Sequence, residues 1–190
     1  MASAPAAPLL LASTSPRRRE ILEQLGVPFD VVAPQYDETE DDPVAHALGK
    51  ARSVLAEADG RPVVGCDTEV VSAGRVYGKP SGPEEAEEML ESLSGRAHEV
   101  VSGLALITPM WEEVRHEVTR VTFRGLTPRD IAWYVASREW EGRAGGYAIQ
   151  GRGAALVERI EGDFFNVVGL PTALLVRLLA ERFPGTYGFG

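Results

Sequence analysis

The stretch that most constrains the fold is Val63–Pro80, with the sequence VVGCDTEVVSAGRVYGKP. It begins with an apolar run typical of a buried strand, and Ser72–Gly74 predicts a tight turn into a second strand. We expect a strand–turn–strand unit in which Asp67 ends the buried strand and Lys79 follows the second strand. The carboxyl ends of strands are where α/β folds place ligand-binding groups. The unit therefore predicts a functional site that uses an acid and a lysine.

Predicted strands and helices interleave along the rest of the chain, which is typical of the α/β class. Helix starts are predicted where a capping residue or a short polar segment precedes proline. These starts are Ser15-Pro16, Asp42-Pro43, Ser81-Gly82-Pro83 and Thr127-Pro128, and a last apolar helix is expected over Pro171–Phe183. We find no internal repeat and no linker, so residues 8–190 predict a single domain after a disordered Ala/Pro leader at residues 1–7.

Composition excludes several classes of function. The net charge of −9 argues against non-specific binding to nucleic acid or to an anionic membrane. No apolar run approaches the roughly 20 residues of a membrane span. Cys66 is the only cysteine, so no internal disulfide can form, which suits a reducing compartment. We expect a cytoplasmic protein without a nucleic-acid or membrane partner.

A basic cluster opens the first predicted helix, in the sequence Ser13-Thr14-Ser15-Pro16-Arg17-Arg18-Arg19. A helix N-terminus is electropositive, so three arginines in its first turn oppose the helix dipole. Free backbone N–H groups, serine hydroxyls and arginines together suit a phosphate group. The alternative is a solvated basic patch with an ordinary serine–proline cap.

Two acidic positions are candidates for metal binding and catalysis. Mg²⁺ prefers one or two carboxylates together with substrate phosphate oxygens, so Glu38 and Asp67 would suit it if they lie together. Asp67 could bind the metal, act as a base toward water, or do both. The alternatives are a solvated acidic loop at Asp37-Glu38 and a turn-capping role for Asp67.

A glycine-rich segment, Gly145–Gly151, is a candidate for recognising a base. Its glycines allow the backbone to approach a ligand closely. The amide of Gln150 can pair with a base edge that offers both a donor and an acceptor, as uracil and thymine do. The alternative is an ordinary connection with Tyr147 and Ile149 in the core.

Several common motifs are missing from the sequence. Gly74-x-x-x-Gly78-Lys79-Pro80 is one residue too short for a P-loop, and proline stands where serine or threonine would bind Mg²⁺. The histidines His46, His98 and His116 are scattered. This scatter argues against a zinc site and against a Ser-His-Asp triad.

Seven segments together resemble one family. They are LASTSPRRREILEQLG, ALGKA, VVGCDTEVV, GRVYGKP, LSGRAHEVVSG, GYAIQG and NVVGLP, and they span residues 9 to about 180. In this order they resemble the Maf (septum-formation-inhibitor-like) nucleotide pyrophosphatases. The resemblance implies an α/β fold with an elongated, mixed and twisted sheet flanked by helices, and with two lobes around a cleft. It also implies hydrolysis of a nucleoside triphosphate to the monophosphate and pyrophosphate with Mg²⁺ or Mn²⁺, often in a homodimer.

The segments SPRR, DT and IQG resemble the subgroup that acts on dTTP and UTP, and so imply a role in removing unwanted or modified pyrimidine nucleotides. The resemblance implies a role for each matched residue: Asp67 as proton acceptor and metal ligand, Glu38 as metal ligand, Arg17, Thr68 and Gln150 in pyrimidine specificity, and Ser13, Arg18, Lys50 and Lys79 in phosphate binding. Cys66 stands where the family usually has alanine, and Glu69 stands where it usually has an aliphatic residue.

Two other functions compete with a pyrophosphatase. One is a non-catalytic regulator of cell division that senses nucleotides, which would not need both Asp67 and Glu38. The other is a phosphatase, which would release orthophosphate rather than pyrophosphate.

Overall fold

The computed structural model describes residues 7–39 and 42–190. Apart from Ala7, the predicted leader lies outside the described residues, as do Glu40 and Asp41 of the acidic loop. Strands and helices interleave as predicted, so the α/β class is confirmed. The elements are β1 (Leu9–Ala12), α1 (Pro16–Gln24), β2 (Phe29–Val32), α2 (Pro43–Ser53), β3 (Val63–Ser72), β4 (Arg75–Tyr77), α3 (Pro83–Leu93), β5 (Ala97–Thr108), β6 (Trp111–Phe123), α4 (Pro128–Val135), β7 (Val157–Glu161), α5 (Phe164–Val168) and α6 (Thr172–Arg182).

The strands form one seven-stranded mixed sheet in the order β2-β1-β3-β5-β6-β7, with β4 paired to β3. Strand β1 runs parallel to both β2 and β3, whereas β4 is antiparallel to β3 and β7 is antiparallel to β6. The predicted mixed sheet with flanking helices is therefore confirmed. The elongated shape and the cleft stay predictions.

The starts of α2 and α4 are set by side-chain hydrogen bonds. One carboxylate oxygen of Asp42 accepts from the backbone N–H groups of Val44 and Ala45, at 2.9 and 3.2 Å. Thr127 and Asp130 form a reciprocal capping box at α4. Both starts lie where the sequence predicts them, because the polar side chain replaces the hydrogen-bond partners that the first helical turn lacks.

Strand β3 corrects the predicted position of Asp67. The hairpin to β4 exists, and its turn uses positive φ angles at Ala73 and Gly74, of 50° and 77°. Pairing with β4 extends β3 to Ser72, so Asp67 lies inside the strand rather than at its end. The parallel ladder with β1, however, stops at the pair Ala12–Gly65. Asp67 therefore follows the carboxyl end of that ladder.

The chain divides into two compact units. Within the described residues, unit 1 takes the chain up to Asp67 together with Ser102–Glu117 and Gly169–Gly190, and unit 2 takes Thr68–Val101 and Val118–Val168. The single domain predicted over residues 8–190 stays a prediction. Among the described residues, no helix combines the length and the apolar character that a membrane crossing requires.

Helix α2 packs against strands of unit 1 through two glycines. A Cβ atom at Gly65 would lie 2.1 Å from the carbonyl oxygen of Ala47, and one at Gly103 would lie 2.0 Å from that of Pro43. The backbones of helix and sheet are thus nearly in contact. A cluster of small and aliphatic side chains fills the remaining space: Leu10, Ala12, Ala47, Ala51, Val54, Ala58, Val63, Ala105 and Ile107.

Replacing Gly65 with alanine tests this contact. Because the added methyl group overlaps helix backbone, α2 must shift, and we expect Gly65→Ala to lower the free energy of unfolding by about 1–3 kcal/mol. Urea denaturation measures the loss. Gly125→Ala is the control, since Gly125 is exposed and a Cβ atom there would meet nothing within 4 Å. Equal stability of the two variants would contradict the packing described here.

Candidate active site

Helix α2 directs two side chains at Asp67 of β3. His46 and Lys50 are four residues apart and so share one face of the helix. The ammonium nitrogen Nζ of Lys50 lies 2.5 Å from Oδ1 of Asp67, and Nδ1 of His46 lies 3.4 Å from Oδ2. Each carboxylate oxygen of Asp67 therefore has its own partner on α2.

Glu38 completes the cluster from the loop before α2. Its Oε1 lies 2.5 Å from Nζ of Lys50, so the ammonium bridges two carboxylates. The side chains of Lys50 and Asp67 are 11% and 14% exposed, whereas that of Glu38 is 43% exposed. Because solvent screens a charge pair less as burial increases, the Lys50–Asp67 pair is the stronger of the two.

The loop that carries Glu38 is anchored on α2. A Cβ atom at Gly49 would lie 2.2 Å from the ring of Tyr36, so this glycine makes room for the aromatic ring. The same ring meets His46 edge-on, with centroids 5.9 Å apart. The backbone N–H of Gln35 also donates to Oγ of Ser53 at 3.2 Å. These contacts fix the chain two residues before Glu38.

The cluster suits a divalent cation. Glu38, His46 and Asp67 each offer one ligand atom, and the three atoms lie within 4.8 Å of one another. Carboxylate oxygen and imidazole nitrogen are both ordinary ligands for divalent metals. The residues present thus fit the metal that the resemblance implies. His46 was missed in the sequence analysis, although its spacing of four residues from Lys50 on an amphipathic helix was a usable signal.

The basic helix start lies beyond the same end of the parallel ladder as Asp67. Ser13 directly follows β1, whose last residue, Ala12, pairs with Gly65. Ser13 is buried, and its hydroxyl oxygen accepts from the backbone N–H of Ser15 at 3.0 Å. Ser15 occupies the N-cap position of α1, but its side chain makes no capping bond. The capping bond expected from Ser15 is not formed in the described part of the chain, and Ser13 instead holds the backbone of Ser15 itself.

The arginines of this helix start differ in their contacts. Nε of Arg18 donates to the carbonyl oxygen of Gly169 at 2.8 Å, which ties α1 to the segment before α6. Nε of Arg17 is buried and has no hydrogen-bond partner among the described residues. A buried donor without a partner is costly. An anion bound at the start of α1 would satisfy it.

In unit 2, the segment Gly145–Gly151 is held by its neighbours. The backbone N–H of Gly145 donates to the carbonyl oxygen of Gly78 at 3.0 Å, so this segment meets the chain just before Lys79. Lys79 and Gln150 are both exposed. Thr68 is half-buried in β3. Lys79 and Gln150 are therefore exposed residues on two adjoining segments of one unit.

Buried aromatic side chains anchor the segment Gly145–Gly151. Tyr147 and Ile149 are buried, as expected for core residues. The hydroxyl of Tyr147 lies 2.9 Å from Nε2 of His98, and the hydroxyl of Tyr134 accepts from the N–H of Ala148 at 2.9 Å. Burial lowers the pKa of His98 to about 4 and raises the pKa of Tyr134 to about 12. This network is therefore uncharged at neutral pH.

One family model matches most of the chain. The family model described as "Maf-like protein" matches residues 8–182. The chain belongs to the Maf-like family. The matched range spans both units and includes every residue to which the resemblance assigns a role.

Three relatives of this Maf-like protein carry the name "dTTP/UTP pyrophosphatase". The one from Gloeobacter violaceus is 49% identical over 180 residues, covering 91% of this chain and 95% of its own. The one from Symbiobacterium thermophilum is 48% identical, with 91% and 93% covered, and the one from Moorella thermoacetica is 51% identical over 181 residues, with 90% and 93% covered.

Double-mutant cycles test whether the Lys50–Asp67 ion pair is stronger than the Lys50–Glu38 ion pair. We expect Lys50→Met and Asp67→Asn to be coupled by about 1–3 kcal/mol in the free energy of unfolding, because their contact is shielded from water. Lys50→Met and Glu38→Gln should be coupled by only about 0–1 kcal/mol, as exposed pairs are. Urea denaturation of the single and double variants gives both values.

The exposed pair Arg138–Glu141, at 2.6 Å, is the matched control for this cycle. Coupling in the Lys50–Asp67 pair no larger than in this control would contradict the central position assigned to Lys50.

Proposed function

We propose that this chain hydrolyses dTTP and UTP to the nucleoside monophosphate and pyrophosphate. The observation that carries the proposal is the cluster of Asp67, Lys50, Glu38 and His46, which joins an oriented carboxylate to a set of cation ligands. The names of the relatives support the choice of pyrimidine triphosphates. The described residues of the cluster lie on three segments of unit 1.

Asp67 is proposed as the base. It takes a proton from a water molecule while the water oxygen attacks the α-phosphorus, and the bond from that phosphorus to the bridging oxygen breaks. Pyrophosphate leaves with the electron pair of that bond. Lys50 and His46 contact separate oxygens of Asp67, and this orients the carboxylate. A positioned base contributes roughly 10²–10⁴-fold to such a reaction.

Charge neutralisation is proposed to come from residues of unit 1 and from a divalent cation. Phosphoryl transfer depends mainly on positioning and on stabilising charge on the phosphate oxygens. Glu38 and Asp67 would hold the cation, which when bound supplies positive charge to those oxygens. Arg17, Arg18 and the backbone N–H groups at the start of α1 would bind the phosphates, and the bond from Ser15 N–H to the Ser13 hydroxyl holds the chain that leads into this helix.

Base recognition is proposed for Arg17, Thr68 and Gln150. Gln150 is exposed, while its neighbour Ile149 is buried. A side-chain amide held on a fixed segment can donate to one atom of a base edge and accept from another, which matches uracil and thymine. Lys79 is proposed to bind phosphate. A homodimer, a cytoplasmic location and action on modified pyrimidine nucleotides are further proposals that follow from the resemblance.

A panel of substrates tests the function. Purified protein with Mg²⁺ or Mn²⁺ should release pyrophosphate from dTTP and UTP faster than from CTP, dGTP or 7-methyl-GTP, because the site is expected to recognise the uracil-type edge. Pyrophosphate and orthophosphate are measured separately by ion chromatography.

The products distinguish the competing functions. Orthophosphate as the only product would identify a phosphatase instead. Tight binding of dTTP or UTP without turnover, with either metal, would identify a nucleotide sensor. Either result would overturn the proposed function.

A further inference from the structure

We propose that His46 is a third protein ligand of the metal and makes the site favour Mn²⁺ over Mg²⁺. The resemblance implies only Glu38 and Asp67 as metal ligands, so His46 adds a nitrogen donor to an all-oxygen set. The inference rests on the proposed function only in locating the metal at Asp67. Its test does not require turnover.

The distance between His46 and Asp67 suits two ligands of one ion. Nδ1 of His46 lies 3.4 Å from Oδ2 of Asp67, which is long for a hydrogen bond to a carboxylate. Two adjacent ligands about 2.1 Å from an octahedral ion are separated by about 3.0 Å. The observed separation is thus nearer to that of two ligands of one ion than to that of a strong hydrogen-bonded pair.

The imidazole ring of His46 is buried with few polar contacts. His46 is 4% exposed, and its Nε2 is buried without a hydrogen-bond partner among the described residues. A buried imidazole normally has both nitrogens satisfied. The 3.4 Å contact is the one polar contact described for this ring, so neither nitrogen forms a short hydrogen bond there. Metal ligation at Nδ1, the nitrogen that faces Asp67, would replace this long contact with a strong interaction.

The two oxygens of Asp67 face different partners. Lys50 contacts Oδ1 and His46 lies beside Oδ2. A cation next to His46 therefore uses a different oxygen from the one that faces the ammonium. The two positive charges do not compete for the same lone pairs, and Lys50 keeps its contact with Asp67.

Metal preference follows from the donor atoms. Mg²⁺ prefers carboxylate, phosphate and water oxygens. Mn²⁺ also takes oxygen ligands, but as a first-row transition ion it binds imidazole nitrogen more readily than Mg²⁺ does. Replacing one oxygen position with imidazole nitrogen therefore favours Mn²⁺. The same argument predicts that removal of the imidazole lowers affinity for Mn²⁺ more than affinity for Mg²⁺.

The test is pulsed electron paramagnetic resonance of Mn²⁺ added to the protein without nucleotide. We expect a nitrogen coupling in the wild-type protein that changes when histidine is labelled with ¹⁵N, and that disappears in His46→Gln. The dissociation constant for Mn²⁺ should rise about tenfold or more in His46→Gln. That for Mg²⁺, measured by displacement of Mn²⁺, should change less than about threefold.

His116→Gln is the matched control, because His116 is exposed on β6 and lies outside the cluster. The nitrogen coupling and the Mn²⁺ affinity of this variant should equal those of the wild type. Thermal unfolding confirms that His46→Gln is folded, and the ¹⁵N experiment on the wild type needs no variant. Absence of a histidine coupling, or equal losses of Mn²⁺ and Mg²⁺ affinity in His46→Gln, would overturn the proposal. Hydrolysis of dTTP alongside either result would leave the proposed function intact.

Discussion

The contact between Lys50 and Asp67 is the interaction on which the rest of the site depends. It places an ammonium group 2.5 Å from a carboxylate oxygen in a setting where both side chains are largely shielded from water. Removing one partner of such a pair leaves the other charge buried and uncompensated. The same ammonium reaches Glu38, so one lysine holds two acids that would otherwise repel each other. Lys50 thereby lowers the electrostatic repulsion between Glu38 and Asp67, the two acids that are proposed to hold the metal.

The glycines around α2 make this contact geometrically feasible. Gly65 lets the helix backbone approach β3 closely, and Gly49 accommodates the ring of Tyr36, which in turn brings the Glu38 loop against the helix. Neither glycine touches a reacting group. Their effect is to set the distance between helix, strand and loop within unit 1, and small errors in that distance are costly to positioned catalytic groups.

Local features were well predicted from the sequence, because they depend on chemistry within a few residues. Asp42 caps α2 where a cap was expected, and Thr127 with Asp130 forms the expected capping box. Asp67 shows the limit of this approach. It was expected at a strand end, but pairing with β4 carries β3 five residues further, to Ser72. Pairing between strands outweighed the local pattern.

The contacts of the site were harder to predict because they join distant segments. The association of Glu38 with Asp67 was suggested by metal chemistry and appears in the structure through Lys50. The position of His46 was not foreseen, since it depends on which face of α2 packs on β3. The unpartnered Nε of Arg17 likewise depends on packing. In the structure Arg17 and Arg18 differ in their contacts, and neither the sequence pattern nor the resemblance predicted this difference.

Comparing dTTP hydrolysis by the wild type and by Asp67→Asn tests the central claim most directly. Asparagine keeps the shape of the side chain and an oxygen for Lys50, but it cannot act as a base of comparable strength. We expect kcat to fall by roughly 10²–10⁴-fold with the fold intact, while Asp30→Asn, at an exposed position paired with Arg61, retains wild-type activity. An Asp67→Asn protein that keeps most of its activity would contradict the role assigned to Asp67.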